Sequence, residues 1–136
     1  MAVSGSTSTA IGEYLVLGEI LKRDLEAYLA HGNTQKGWDI AVVKKNGTKR
    51  IQVKTINWPV SKAVNGDFSS FDFLVVVLLN NSHPRSRFFV LTQKEIEPLL
   101  SPPNINRKNN KRTIAFSEKF IERNKRFEDA WSKIIN

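Results

Sequence analysis

Apolar and small residues recur at helical spacing through the first part of the chain. Ile11, Tyr14, Leu15, Gly18, Leu21, Leu25, Tyr28 and Leu29 predict a helix capped by Thr9 and ended by His31-Gly32-Asn33. Residues 38–43 and 50–56 then read as two strands joined by Lys45-Asn46-Gly47-Thr48, where Asn-Gly favours a two-residue hairpin turn. Asn57 to Ser70 contains Pro59 and Gly66 and reads as a long loop, a kind of segment that more often serves function than filler. Phe71 to Leu79 is apolar almost throughout, as in a strand buried on both faces. A turn at Asn80-Asn81-Ser82-His83-Pro84 leads to a fourth strand, Arg87 to Thr92. Thr92 with Glu95 forms a capping box for a short helix, which Ser101-Pro102-Pro103 ends. A basic loop from Asn104 to Arg112 precedes a last helix capped by Ser117, with Phe120, Phe127, Trp131, Ile134 and Ile135 as its apolar side. The reading is a disordered segment over residues 1–9 and one domain over 10–136, without internal repeats.

The hairpin brings chemistry together. Gln52 and Lys54 stand two positions apart on a strand and project to one face. Pairing Lys45 with Thr48 sets Asp39 opposite Lys54 and Ala41 opposite Gln52. Opposed Cβ atoms then lie roughly 5 Å apart and diagonal ones roughly 7–8 Å apart. A carboxylate, an amide oxygen and a lysine so arranged suit a hard divalent cation holding a phosphodiester. The same residues also read as a cross-strand ion pair contributing less than about 1 kcal/mol. Glu13 lies in a helical row with Leu17, Ile20 and Asp24, at the margin of the surface expected to pack on the sheet. There it either reaches the face of Asp39 or complements the positive end of the helix dipole.

Composition narrows the partners. At 136 residues the chain suits one modest core. A formal charge of +8, from 21 Lys and Arg against 13 Asp and Glu, favours a polyanion, nucleic acid before membrane. The absence of cysteine rules out disulfides and thiolate metal sites and agrees with a cytoplasmic location. The first ten residues lack the apolar core of a signal peptide, and Phe73 to Leu79 is too short to span a bilayer. His31 and His83 both sit in expected turns. No HExxH, G-x-S-x-G, Walker A or GxGxxG pattern occurs, which leaves phosphodiester hydrolysis as the enzymatic reading.

The helix bearing Gly12-Glu13, the Gly37-Trp38-Asp39 strand, the Gln52-Val53-Lys54 strand and the apolar strand from Phe71 to Val77 come in an order and spacing that resemble the PD-(D/E)xK nuclease superfamily. The resemblance covers roughly residues 10–100 and rests on a short, degenerate motif. It implies an α/β fold with a restriction-endonuclease-like core. Its mixed four-stranded sheet would be flanked by helices in an α-β-β-β-α-β-like order, here with an extra C-terminal helix. It further implies a metal-dependent nuclease, a DNA endonuclease using Mg²⁺ or Mn²⁺, and leaves a homodimer open. Asp39 would bind the metal, and Gln52 would take the place usually held by Glu or Asp. Lys54 would orient or activate the attacking water, and Glu13 would be the helix-borne carboxylate found in part of the family. Gln52 departs from the pattern, since an amide oxygen can ligate a cation but adds no charge.

The basic candidates for nucleic-acid contact are Lys36, Lys44, Lys45, Lys49, Arg50, Arg107, Lys108, Lys111 and Arg112, through phosphate contact and counterion release. Asn33 and Gln35 join Lys36 just before the Asp39 strand. Trp58 either stacks on a base or pins the long loop, and Trp38 and Trp131 are expected in the core. The alternative is a non-catalytic module on the same scaffold, holding nucleic acid or a protein partner.

Overall fold

The computed structural model of the chain describes residues 4–30, 37–79, 85–103 and 111–136. His31, His83, Asn33, Gln35, Lys36, Arg107 and Lys108 lie outside the described residues. In order, the elements are α1 (Gly5–Leu21), β1 (Glu26–Leu29), β2 (Ile40–Lys44), β3 (Gly47–Ile56), β4 (Ala63–Gly66), β5 (Phe73–Leu78) and β6 (Arg87–Thr92). They are followed by α2 (Gln93–Ile96), β7 (Arg112–Ala115), α3 (Glu118–Arg123) and α4 (Ser132–Ile135). A five-stranded sheet runs in the order β1-β2-β3-β5-β6, with β4 and β7 forming a separate pair. Only β3 and β5 run parallel; the other pairings are antiparallel. Among the described residues the sheet is mixed, as expected, but has five strands rather than four. The short helix α2 follows β6 instead of separating β5 from β6.

The extra strand comes from the C-terminal part of the expected first helix. α1 starts at Gly5, capped by Ser4 rather than Thr9, so residues 5–9 are helical. It stops at Leu21, where Arg23 and Asp24 donate back to the carbonyls of Ile20 and Leu21. Asp24 takes a φ of 61°, a left-handed conformation that Asp tolerates better than most residues, and the chain turns into β1. The expected apolar stripe is also displaced. Ser8, Gly12, Val16 and Ile20 form the buried face, while Tyr14, Leu15 and Leu21 are exposed. Apolar residues surround this helix on every side, so their spacing could not choose its inner face. Close approach chooses it: a Cβ on Gly12 would lie 1.8 Å from the Thr55 hydroxyl oxygen on β3.

Two packed layers enclose the sheet. On one face Val16 and Ile20 of α1, with Trp131 and Ile134, cover Ile40, Val42, Ile51, Val53, Val75, Val77 and Val90. On the other, Val64, Ile96, Ile114, Phe116, Ile121 and Phe127 cover Ile56, Leu74, Val76, Leu78, Phe89 and Leu91. Trp38 packs against that second core and Trp131 sits within the first, as expected of both. The caps at Thr92, with its Glu95 box, and at Ser117 are as expected. The last helix, however, is divided. Glu128 pairs with Arg87 at 2.7 Å and 2.8 Å and bridges to Phe89. Asp129, at φ 55°, then redirects the chain into α4.

The helix–sheet contact at Gly12 carries a direct prediction. Gly→Ala in an open helix interior stabilises by roughly 0.5–1 kcal/mol, but here the added methyl meets Thr55. Gly12→Ala is expected to lower stability by about 1–3 kcal/mol, as overpacking does, and Thr55→Ala to recover part of that loss. A double-mutant cycle by urea denaturation measures both; additive losses would show that the two residues are not in contact.

Candidate active site

The site forms where β2 stops and β3 continues. Their ladder begins at the Lys44–Gly47 pair and ends at Ile40–Ile51, while β3 runs on to Ile56. The turn is therefore Lys45-Asn46 rather than Asn46-Gly47, and Ala41 pairs with Arg50 rather than Gln52. This corrects the expected register by two residues. Because a strand repeats every second residue, a two-residue shift changes the pairs but keeps each side chain on its face.

Asp39 sits at the fork. Its N–H donates to the Ile51 carbonyl at 2.8 Å, and its carbonyl accepts from the Ala30 N–H at 2.8 Å. Its Oδ2 accepts from the Val53 N–H at 2.7 Å. The carboxylate thus takes the place that a β2 carbonyl would have filled on the next rung. Ile51 and Val53 face the α1 side, so Gln52 and Lys54 face the other. The buried Oε1 of Gln52 has no hydrogen-bond partner among the described residues. Lys54 lies under β4, where a Cβ on Gly66 would stand 3.1 Å from its Nζ. Glu13 approaches from α1, whose N-terminal half is tied to the end of β3. Ser8 Oγ donates to Asn57 Oδ1 at 3.2 Å and Asn57 Nδ2 to Ser8 Oγ at 3.0 Å, beside the Gly12–Thr55 contact.

The charges in this cluster are strained by their surroundings. Burial raises the Glu13 carboxyl above its ordinary value, and the neighbouring Asp39 raises it further. Burial also raises Asp39, more than the Val53 N–H and Lys54 lower it. Lys54 is lowered, chiefly by burial and also by Lys111, with Asp39 opposing. A carboxylate that disfavours its neighbour's charge, beside a desolvated lysine, forms an arrangement common at functional sites. Among the described residues no three His, Cys, Asp or Glu side chains gather where one ion could be held. The donor set is two carboxylates and an amide oxygen, and the unpartnered Gln52 Oε1 fits a hard cation that takes oxygen ligands and keeps much of its water.

The basic candidates divide. Lys44 Nζ donates to the carbonyls of Ile134, Ile135 and Asn136 at 2.8–3.0 Å, so it caps the C-terminus on the α1 face. Lys49 pairs with Val42 and belongs to that face as well. Lys45 is exposed at the turn, roughly 20 Å along the strand from Gln52. Arg112 donates to the Ser101 carbonyl at 2.8 Å and to Glu97 at 3.2 Å, an internal tie. Arg50 shares the face of Gln52, its guanidinium 3.8 Å from Asp72. Lys111 stands near Lys54, as its effect there shows. Lys44 and Lys49 thus lie on the α1 face, and Arg112 is engaged within the fold. Trp58 donates from Nε1 to the Phe116 carbonyl at 2.9 Å and packs on the core, which pins the loop. The supporting roles of Ser8, Asn57, Gly12 and Gly66 escaped the sequence reading, because a site's supporting contacts carry no motif of their own.

The fold is an α/β restriction-endonuclease-like one. No family model matches the chain, and no characterised protein matches it in sequence. Among solved structures, a bacterial homing endonuclease, I-Ssp6803I, is similar. Its TM-score is 0.63 over 98% of this chain and 92% of that chain, at 14% sequence identity. At that identity the likeness is one of fold.

The raised carboxyls carry a stability consequence. A carboxyl whose folded pKa lies above its unfolded one binds more protons when folded, so its ionisation burdens the fold as pH rises through the folded value. Below the ordinary carboxylate pKa of about 4 that burden is absent. Asp39→Asn keeps an oxygen for the Val53 N–H and is expected to raise the melting temperature at pH 7. The gain should shrink toward zero as pH falls to about 4; a gain independent of pH would place its origin elsewhere.

Proposed function

We propose that the protein is a nuclease of the PD-(D/E)xK type that hydrolyses phosphodiester bonds, as an endonuclease on DNA. The observation that carries this reading is the buried, unpartnered oxygen of Gln52 on the strand whose Val53 N–H holds the desolvated Asp39 carboxylate. Such a cluster costs stability unless something positive enters it. Asp39, Glu13 and Gln52 would hold a divalent cation, Mg²⁺ or Mn²⁺. When bound, such an ion lowers the pKa of a coordinated water and neutralises charge developing on phosphate.

The chain's own residues do the rest. The Val53 N–H fixes the Asp39 carboxylate against β3, so its position is set by backbone rather than by rotamer choice. The α1–β3 contacts hold Glu13 at the same fork. Lys54, held beneath Gly66, places an ammonium beside Asp39, where it orients water or holds a phosphate oxygen. Its lowered pKa also equips it to accept a proton. The net charge of +8 supplies attraction to a polyanion, and the fold likeness to an endonuclease supports the same reading.

Incubating plasmid DNA with the protein and Mg²⁺ or Mn²⁺ tests it: cleavage is expected, with Asp39→Ala and Lys54→Ala each reducing the rate at least a hundredfold. Cleavage unchanged in either variant removes that residue from the mechanism. Salt-sensitive binding without cleavage identifies a non-hydrolysing module instead. Metal binding has its own readout in the melting temperature. Mn²⁺ at a hundred times its dissociation constant should stabilise the wild type by about 2.7 kcal/mol and Asp39→Asn far less. Gln52→Glu should keep or increase the effect. A Gln52→Glu variant that no longer responds to Mn²⁺ counts against Gln52 as a ligand.

A further inference from the structure

The face that bears the site continues beyond it, uncovered by the other described residues. Sheet register places Tyr28, Ala41 and Arg50 in one row across β1, β2 and β3, with Glu26, Val43 and Thr48 in the next. The neighbouring residues Ala27, Val42 and Ile51 are buried on the α1 side, so these rows point the other way. No residue of β1 or β2 belongs to the core on that side. Its packing ends at β3. Tyr28 is accordingly 57% exposed and Val43 40%, and Arg50 is exposed as well.

The row has a definite chemical character. Tyr28 donates from its hydroxyl to Glu26 at 2.8 Å, which holds the ring along the sheet. Ala41 is a small floor between the ring and the guanidinium, whose strands are about 10 Å apart. The row is two residues along β3 from Gln52, about 7 Å, so it borders the candidate site directly. A flat surface offering one π-face and the Arg50 guanidinium, which also stands 3.8 Å from Asp72, suits a base and its phosphate. Glu26 lies on the far side of the row from the site and repels a backbone, which confines the strand to the Arg50 end. A protein partner would favour a continuous apolar patch, and Glu26, Thr48 and Arg50 interrupt one here.

We propose that this open β1–β2–β3 face is the docking surface for the nucleic-acid strand entering the site, and that it takes an unpaired stretch with one base stacked on Tyr28. The inference rests on the nuclease reading for the direction of the strand, and its test separates the two. Fluorescence anisotropy in EDTA would compare a labelled single-stranded 20-mer, the blunt duplex and a duplex with a single-stranded overhang. Tyr28→Ala is expected to weaken binding of the single strand and the overhang about tenfold, with less effect on the blunt duplex. Tyr28→Phe should stay within twofold of wild type. Arg50→Ala should weaken all three and reduce the slope of log affinity against log salt by about one.

Unchanged single-strand affinity in Tyr28→Ala, with melting curves showing it folded, overturns the proposal. So does a wild type that binds no DNA. A wild-type dimer that Tyr28→Ala converts to monomer without loss of DNA affinity assigns the face to a second copy and likewise overturns it. Tyr28-dependent binding by a protein that never cleaves leaves the docking surface standing and removes the hydrolase reading alone.

Discussion

One hydrogen bond organises the site: the Asp39 carboxylate accepting the Val53 N–H at 2.7 Å. A strand edge must satisfy its N–H groups, and β2 ends before it can serve Val53. By substituting a side chain for a backbone carbonyl, the chain ends one strand without orphaning the next. The same contact fixes a carboxylate where β3 carries Gln52 and Lys54. Beyond it the edge of β3 is not covered by β2, which opens room for Glu13 to approach from the α1 side. A carboxylate from one layer and a lysine from the other can therefore act on the same Asp39.

Much of this was legible in the sequence, for a reason that lies in strand geometry. Gln52 and Lys54 share a face whatever the hairpin register, because they stand two apart. Asp39 survived the register error because the correction was an even number of residues; a shift of one would have turned every β2 side chain over. Thr92 with Glu95 and Ser117 were readable because caps are local chemistry. The end of α1 was not. Leu25, Tyr28 and Leu29 continue a helical spacing by coincidence, while Asp24 in a left-handed conformation breaks the helix without a glycine or proline to announce it. The inner face of α1 was hidden too, since its choice depends on how closely Gly12 meets Thr55 across some forty residues of chain.

The site also works against the stability of the fold. Glu13, Asp39 and Lys54 are each shifted toward the neutral form, so each charge is held at some cost. Gln52 adds a buried oxygen without a partner among the described residues. A protein selected only to fold would replace these with apolar side chains of similar volume. Their concentration at one fork, while the surrounding layers are packed with Ile, Leu, Val and Phe, is the pattern of a place kept polar for a ligand.

Net charge is a poorer guide to that ligand than the placement of each cation. Lys44 caps the C-terminal carbonyls, and Arg87 forms a two-pronged pair with Glu128. Lys133 joins the Val90 carbonyl to Glu95 at 2.8–3.0 Å, and Arg112 ties β7 to Ser101. Each neutralises or satisfies something within the fold, so the excess of +8 overstates what these side chains offer to solvent. On the proposed reading, the cations that bear on a bound polyanion are those whose position relates to the fork: Lys54 within it and Arg50, itself 3.8 Å from Asp72, on the neighbouring row. A field built from a few placed charges falls off within about 10 Å at ordinary salt. Under the proposed function it would therefore favour a phosphate held at this site over the same phosphate elsewhere on the surface, which a uniform basic coat could not do.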